Sequence, residues 1–204
     1  GKLYFVSGAA NLMAFDSMWC LFFNENMMAD HGLAAPYDLV REGTWTIDKL
    51  TEYCAAAANL NGDEKFTWKK DGKAVWGISS HTNSPEKFYF SANNRTTTVD
   101  PDGTIRFTLE SDRFYSTIDK LAVLLNGKTG MTLKASTTDF DPDAGGYVYV
   151  FTTRRSLFMT AELKASLLMR DMEDNFGIVP FPKYDEAQEN YVSYISPASV
   201  ALLL

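Results

Sequence analysis

Two prolines, Pro180 and Pro182, follow directly on a short apolar run, Phe176–Val179. Proline has no N–H to give to a sheet ladder, and it restricts the residue before it, so a strand that meets two of them must leave its sheet there. The text after them is polar over residues 183–191 (KYDEAQENY), then climbs back into an apolar, strand-like run at 191–204 (YVSYISPASVALLL). A strand that leaves a packed body through two prolines and feeds a second strand reads as a crossing between two lobes. That crossing constrains the fold more than any other stretch of the chain.

The remaining text is that of a globular protein. With 204 residues, 46% hydrophobic and 22% charged, the chain supports one domain of generous size without covalent staples. Its net charge is −7, and Lys and Arg never cluster beyond two or three, so counterion release has little to act on and nucleic acid is not expected as a partner. No run of 18 apolar residues occurs and no signal peptide opens the chain. Because the sequence starts and stops inside strand-like text (KLYFVSG and SVALLL), it reads as a piece excised from a larger protein. The two cysteines form no CxxC, and both histidines lie far from them, which argues against zinc. Spacing alone leaves a disulfide open. The apolar surroundings of Cys20 and the helical setting of Cys54 favour two separate buried thiols.

Along the chain, residues 2–6 read as a strand, with a turn at Ser7-Gly8, and 18–23 (MWCLFF) as a fully buried strand. Asn24 is placed to cap the next helix, and Gly32 to end it beside His31. Residues 36–43 read as a loop. Thr46 caps a helix over 47–59, with Trp45 stapled onto Leu50. A buried strand at 75–79 (VWGIS) leads to a loop at 81–87 and a short helix at 88–92. Asp100-Pro101-Asp102-Gly103 turns a hairpin between 96–99 and 104–109. Asp112 then caps an amphipathic helix with Phe114, Ile118, Leu121, Leu124 and Leu125 on one face. A strand at 156–159 precedes a helix over 161–172, whose buried side is Leu163, Leu167, Leu168 and Met172. Strands alternating with helices around an inserted hairpin give an α/β class with a mixed sheet.

Motifs that carry chemistry are few. Asp139, Asp141 and Asp143 open like a calcium loop, but Ala144 and Val150 stand where glycine and glutamate are needed, so the stretch reads as a solvated acidic loop. Nucleophile-elbow, phosphate-loop and zinc-helix motifs are absent. Asp16 and Glu162 could form a glycosidase-like carboxylate pair, although 26 acidic residues make some such pair expected by chance. Four tryptophans, ten tyrosines and fourteen phenylalanines exceed what one core of this size needs, and aromatic platforms beside hydrogen-bonding side chains suit sugars.

Five stretches carry a resemblance: LFFNENMMADHGL, PYDLVREGTWTIDKL, the DPDG hairpin with its helix, SLFMTAELKASLLMRDMEDNFGIVPFPKYDE, and ISPASVALLL. Together they resemble the C-terminal lobe of the sugar-type solute-binding proteins of ABC importers, the family that includes maltose-binding protein. The resemblance implies a type II periplasmic-binding-protein lobe, a mixed β-sheet flanked by helices with hinge-crossing strands at both ends. Residues 1–8 would be the incoming hinge strand, 9–192 the ligand-binding lobe, and 193–204 the strand returning toward a missing N-terminal lobe. It further implies no catalysis, no cofactor and no metal. A carbohydrate, expected to be an oligosaccharide, would bind between the lobes for delivery to membrane permease subunits. The location implied is extracytoplasmic, periplasmic or at the cell surface, with a lipid anchor on a segment outside this sequence.

Ligand contacts carried over from the family fall on Asp16, Ser17 and Trp19, on His81, Thr82, Asn83, Ser84 and Phe88 after the VWGIS strand, and on Thr160 and Glu162 after SLFM. Many members place a tryptophan just beyond that last turn, where this chain has Leu163 and Lys164, a departure that argues against a long stacked sugar. Two other readings stand beside this one: a glycan-cleaving enzyme using Asp16 and Glu162, and a diverged sensing or scaffold protein.

Overall fold

The computed structural model describes residues 5–6, 12–135, 146–196 and 201–202. In chain order the elements are β1 (Phe5–Val6), α1 (Leu12–Asp16), β2 (Trp19–Asn24), α2 (Glu25–Asp30), α3 (Tyr37–Glu42), α4 (Ile47–Ala57), β3 (Trp76–Ser80), α5 (Ser84–Ser91), β4 (Thr97–Val99), β5 (Ile105–Phe107), α6 (Asp112–Leu124), β6 (Thr132–Lys134), α7 (Gly146–Thr152), β7 (Ser156–Glu162), β8 (Phe176–Val179) and β9 (Ala201–Leu202). Five strands form one sheet in the order β6-β3-β7-β2-β8. β6, β3 and β7 run parallel, while β2 is antiparallel to both β7 and β8. The class is the α/β, mixed-sheet one expected from the pattern.

Side chains alternate across a strand, and β2 uses both faces. Trp19, Leu21 and Phe23 join the larger core with residues of α4, α5 and α6. Cys20 and Phe22 point the other way, into a second core with Val148 and Phe151 of α7. A strand buried on both faces must be apolar throughout, which is why MWCLFF shows no alternation. Cys20 and Cys54 are both free and buried, one in each core. Burial pushes the Cys20 thiol up to about 12 and Cys54 well above its ordinary value, so neither offers a thiolate.

Several local signals act as read. Asn24 Oδ1 accepts from the Met27 N–H at 2.9 Å, and Thr46 Oγ1 from the Lys49 N–H at 3.3 Å. Trp45 and Leu50 are both fully buried in the larger core. Asn24 does more than cap: its Nδ2 donates to Asp174 at 2.7 Å, and Asp174 in turn receives both contacts of Arg154 Nη1 at 2.8 Å. Asn24→Ala is therefore expected to cost about 2 kcal/mol, at the upper end for a cap, because a buried donor–acceptor pair goes with it. Urea denaturation checks this.

Other readings are corrected. Residues 36–43 contain a helix, α3, because Pro36 stands at its N-cap and Gly43 ends it in the left-handed region at φ 75°. Six residues are too few to show a helical period in the sequence. Helix α5 starts at Ser84, four residues earlier than expected, with Pro85 inside its first turn, where a missing N–H costs nothing. Ser111, not Asp112, caps α6, its hydroxyl accepting from the Phe114 N–H. The expected helix over 161–172 is instead the end of β7 followed by a 3₁₀ helix, Leu163–Met169. That helix buries Ala165 and Met169 and leaves Leu167 and Leu168 57% and 67% exposed. Its three-residue turn rotates the leucines off the face that a 3.6-residue period would give them. The acidic stretch 139–143 lies outside the described residues.

Away from the main sheet, β1 pairs with β9 in a separate antiparallel ladder, Phe5 opposite Leu202 and Val6 opposite Ala201. No helix among the described residues is long and apolar enough to cross a membrane.

Candidate functional site

In mixed α/β sheets the carboxyl ends of parallel strands leave a crevice where connecting loops splay apart. Here that edge carries His81 after β3, Glu162 at the end of β7, and Trp19, the residue paired with Glu162 at the start of β2. These three, with Asn83 and Tyr147, line a cavity of about 500 Å³. Its other wall comes from Lys164, Ala165, Leu167 and Leu168 of the 3₁₀ helix and from Ser196. Helix α1 packs beside that 3₁₀ helix, and Met13 and Phe15 on it are 60% and 49% exposed. Of the lining residues, Leu167 and Leu168 are 57% and 67% exposed and give the cavity an apolar edge.

The polar centre is Glu162. Its Oε1 accepts from the Ser196 hydroxyl at 2.5 Å, and its Oε2 pairs with Lys164 Nζ at 2.5 Å. The Ser196 hydroxyl accepts in turn from the Trp19 indole N–H at 3.0 Å. Partial burial works against ionisation of Glu162. The Lys164 and Ser196 hydrogen bonds, the lysine charge and the Trp19 indole outweigh it, so the carboxyl is held below its ordinary value. Lys164 is raised, chiefly by its bond to Glu162. Tyr147 is raised by burial first and by the Glu162 charge second. His81 Nδ1 lies 2.7 Å from Asn83 Oδ1, with the imidazole edge-on to Tyr147 at 5.9 Å.

A pH dependence follows from these directions. A depressed carboxyl adds stability above its unfolded value, lost as pH falls through the folded one. A raised ammonium adds stability below its unfolded value, lost as pH rises through the folded one. The pair therefore supports the fold across neutral pH, weakly on the exposed lysine side. Comparing urea midpoints at neutral pH and near pH 3 should show a smaller acid loss in Glu162→Gln than in the native chain.

Of the residues expected at the ligand, the structure brings Trp19, His81, Asn83 and Glu162 to one cavity. Asp16 is exposed at the end of α1, near enough for its charge to raise Lys164. Thr82 is exposed outside the lining, and Ser17 is buried. Ser84, Phe88 and Thr160 are fully buried and do not line the cavity. Ser84 Oγ and Thr160 Oγ1 hydrogen-bond to each other at 2.7 Å, tying α5 to β7, and Phe88 packs edge-on against Phe181 at 4.7 Å. The early start of α5 is the cause, since it turns Ser84 and Phe88, one helical turn apart, onto the sheet. Tyr147, Lys164, the exposed leucines and Ser196 belong to the cavity and were not among the expected contacts.

No family model matches the sequence, and no curated protein sequence matches it either. Solved structures do. The maltose/maltodextrin-binding domain MalE from Bdellovibrio bacteriovorus, bound to maltotriose, superposes with a TM-score of 0.56 over 94% of this chain and 42% of that one, at 15% identity. The chain folds as one lobe of a type II periplasmic binding protein. An ABC substrate-binding protein from Listeria monocytogenes in complex with cycloalternan matches the lobe at a TM-score of 0.54, 14% identity, covering 87% of this chain and 39% of that one. UgpB from Mycobacterium tuberculosis in complex with glycerophosphocholine gives 0.53 and 10%, covering 81% and 36%. The lobe spans about two fifths of the length of these proteins.

Proposed function

We propose that the chain is the C-terminal lobe of a solute-binding protein of an ABC importer, that it binds a carbohydrate reversibly between this lobe and a second one, and that the closed form presents the sugar to the membrane permease. One observation carries the reading. The cavity at the strand ends is polar at its centre, apolar at its rim and open on one side, which suits a ligand with hydroxyl edges and C–H faces held between two halves. The fold neighbours solved with maltotriose and cycloalternan support the ligand class. In this reading β1 and β9 are the strands that cross to the second lobe, and the protein works outside the cytoplasm.

The chemistry of Glu162 does not suit the general-acid role in glycoside hydrolysis. A general acid at a glycosidic oxygen needs a raised carboxyl, whereas this one is held ionised by Lys164 and Ser196. The pairing also weighs against a phosphodiester such as that bound by UgpB. Lys164, the cation among the lining residues, already has its counter-ion.

Calorimetry of the two-lobed protein against mono- and oligosaccharides, with each mixture checked by mass spectrometry, tests the proposal. Heat with unchanged sugar is the expected result. Cleaved sugar would replace it with the enzyme, and silence across the panel would replace it with a non-sugar ligand or a scaffold role.

A further inference from the structure

Among the described residues, the Ser196 hydroxyl bonds two residues of the cavity wall, Trp19 and Glu162, although Ser196 belongs to the segment running toward β9. Its N–H donates to Ser17 O at 3.1 Å, and its hydroxyl accepts from the Trp19 indole and donates to Glu162. A hydroxyl has one proton, and with the indole supplying the incoming bond that proton is committed to the carboxylate. One residue back, Ile195 bridges to Met18. Two residues back, the Tyr194 carbonyl accepts from the Trp19 N–H at 2.9 Å, and its ring stacks on Phe90 beside the buried ammonium of Lys87. Trp19 therefore holds the segment through its backbone and its side chain at once, and Glu162 holds the same Ser196 hydroxyl from the other side.

We infer that Ser196 is a positioning residue that couples the carboxylate of the cavity to the segment leading to β9, so that whatever binds Glu162 also changes how firmly residues 194–196 are seated on the lobe. The bond is charge-assisted and stronger than the neutral one from the Trp19 indole, and it links this segment to the carboxylate facing the cavity. With it made, the segment is fixed by two backbone bonds and a hydroxyl. With it broken, the backbone bonds remain but open more often, because they lie at the margin of the sheet, where local stability is low. A ligand hydroxyl that donates to Glu162 shares the same carboxylate and orders it further, so ligand and segment are linked through one group. The ligand half rests on the reading of the cavity as a sugar site; the Ser196–Glu162 half stands on the geometry alone.

Hydrogen–deuterium exchange on the 204-residue chain tests both halves, read at the amides of Trp19 and Ser196. Ser196→Ala and Glu162→Ala are each expected to speed these two amides about tenfold, the range for loss of a hydrogen bond to a charged group. Ser196→Ala removes both the bond to Glu162 and the one from the Trp19 indole, whereas Glu162→Ala removes only the former of these, so the double variant should go no further than Ser196→Ala alone. Ser196→Thr should restore the native rates, and the amides of β3 and β8 should not change in any variant. Additive effects, unchanged rates, or acceleration spread across β3 and β7 would each overturn the coupling, the last by reducing Ser196 to a general packing role. A sugar found by calorimetry should slow the same two amides, and one that binds without slowing them would sink the ligand half. If no sugar binds, the proposed function fails while the variant pattern still decides the coupling.

Discussion

Gly77→Ala is expected to lower the stability of the lobe by about 3 kcal/mol, the upper part of the range for overpacking a core. Gly77 is the second residue of β3, the strand between β6 and β7. A Cβ added there would lie 2.3 Å from Cys54 Cβ, 2.8 Å from Cys54 Cα and 2.8 Å from the Met131 carbonyl oxygen. Two of those three atoms are backbone, so no rotamer change relieves the contact, and α4 or β6 has to move as a body. Alanine also restricts the unfolded chain, which returns about 0.4–1 kcal/mol at most. For a chain of this size about 3 kcal/mol corresponds to a fall of roughly 6–12 °C in melting temperature, and the offset moves the expected value toward the lower end of that range. Thermal melting of the native chain and the variant decides it. An unchanged Tm would mean that α4 does not seat on β3 as closely as the geometry requires.

Part of the fold around that contact is legible in the sequence. The strands MWCLFF and VWGIS, the caps Asn24 and Thr46, and the hairpin turn at Asp100–Gly103 are readable because each rests on neighbours in sequence. The failures share a different cause. Leu163, Leu167 and Leu168 imitate one face of an α-helix, yet β7 continues to Glu162 because Trp19 pairs with it across the sheet. That pairing connects residues 143 positions apart, and no window contains it. Ser84 reads as a loop residue and Phe88 as the first residue of a helix, whereas that helix begins one turn earlier, at Ser84, with Asn83 at its N-cap and Pro85 in its first turn. Ser196 carries no local signal at all. It matters because the chain returns past Trp19 and Glu162, which only the fold arranges.

Glu162→Ala in the two-lobed protein should weaken sugar binding about 10- to 100-fold, with little change in the stability of the lobe. The asymmetry comes from where the carboxylate sits. Its side chain is 19% exposed and faces the cavity, and Lys164, its partner, is 57% exposed, so the pair itself adds little to folding. A ligand hydroxyl that donates to the same oxygen makes a charge-assisted bond in a site closed from water, worth about 1.5–3 kcal/mol, or one to two powers of ten in affinity. Glu162→Gln keeps an acceptor oxygen but loses the charge, and should fall by about half as much on the logarithmic scale. Lys164→Ala separates charge from geometry. It leaves the carboxylate and its Ser196 bond in place, so binding should weaken less than in Glu162→Ala if the carboxylate is the contact. The reverse order, with Lys164→Ala the more damaging, would make the lysine the ligand's partner and point to an anionic ligand in place of a neutral sugar.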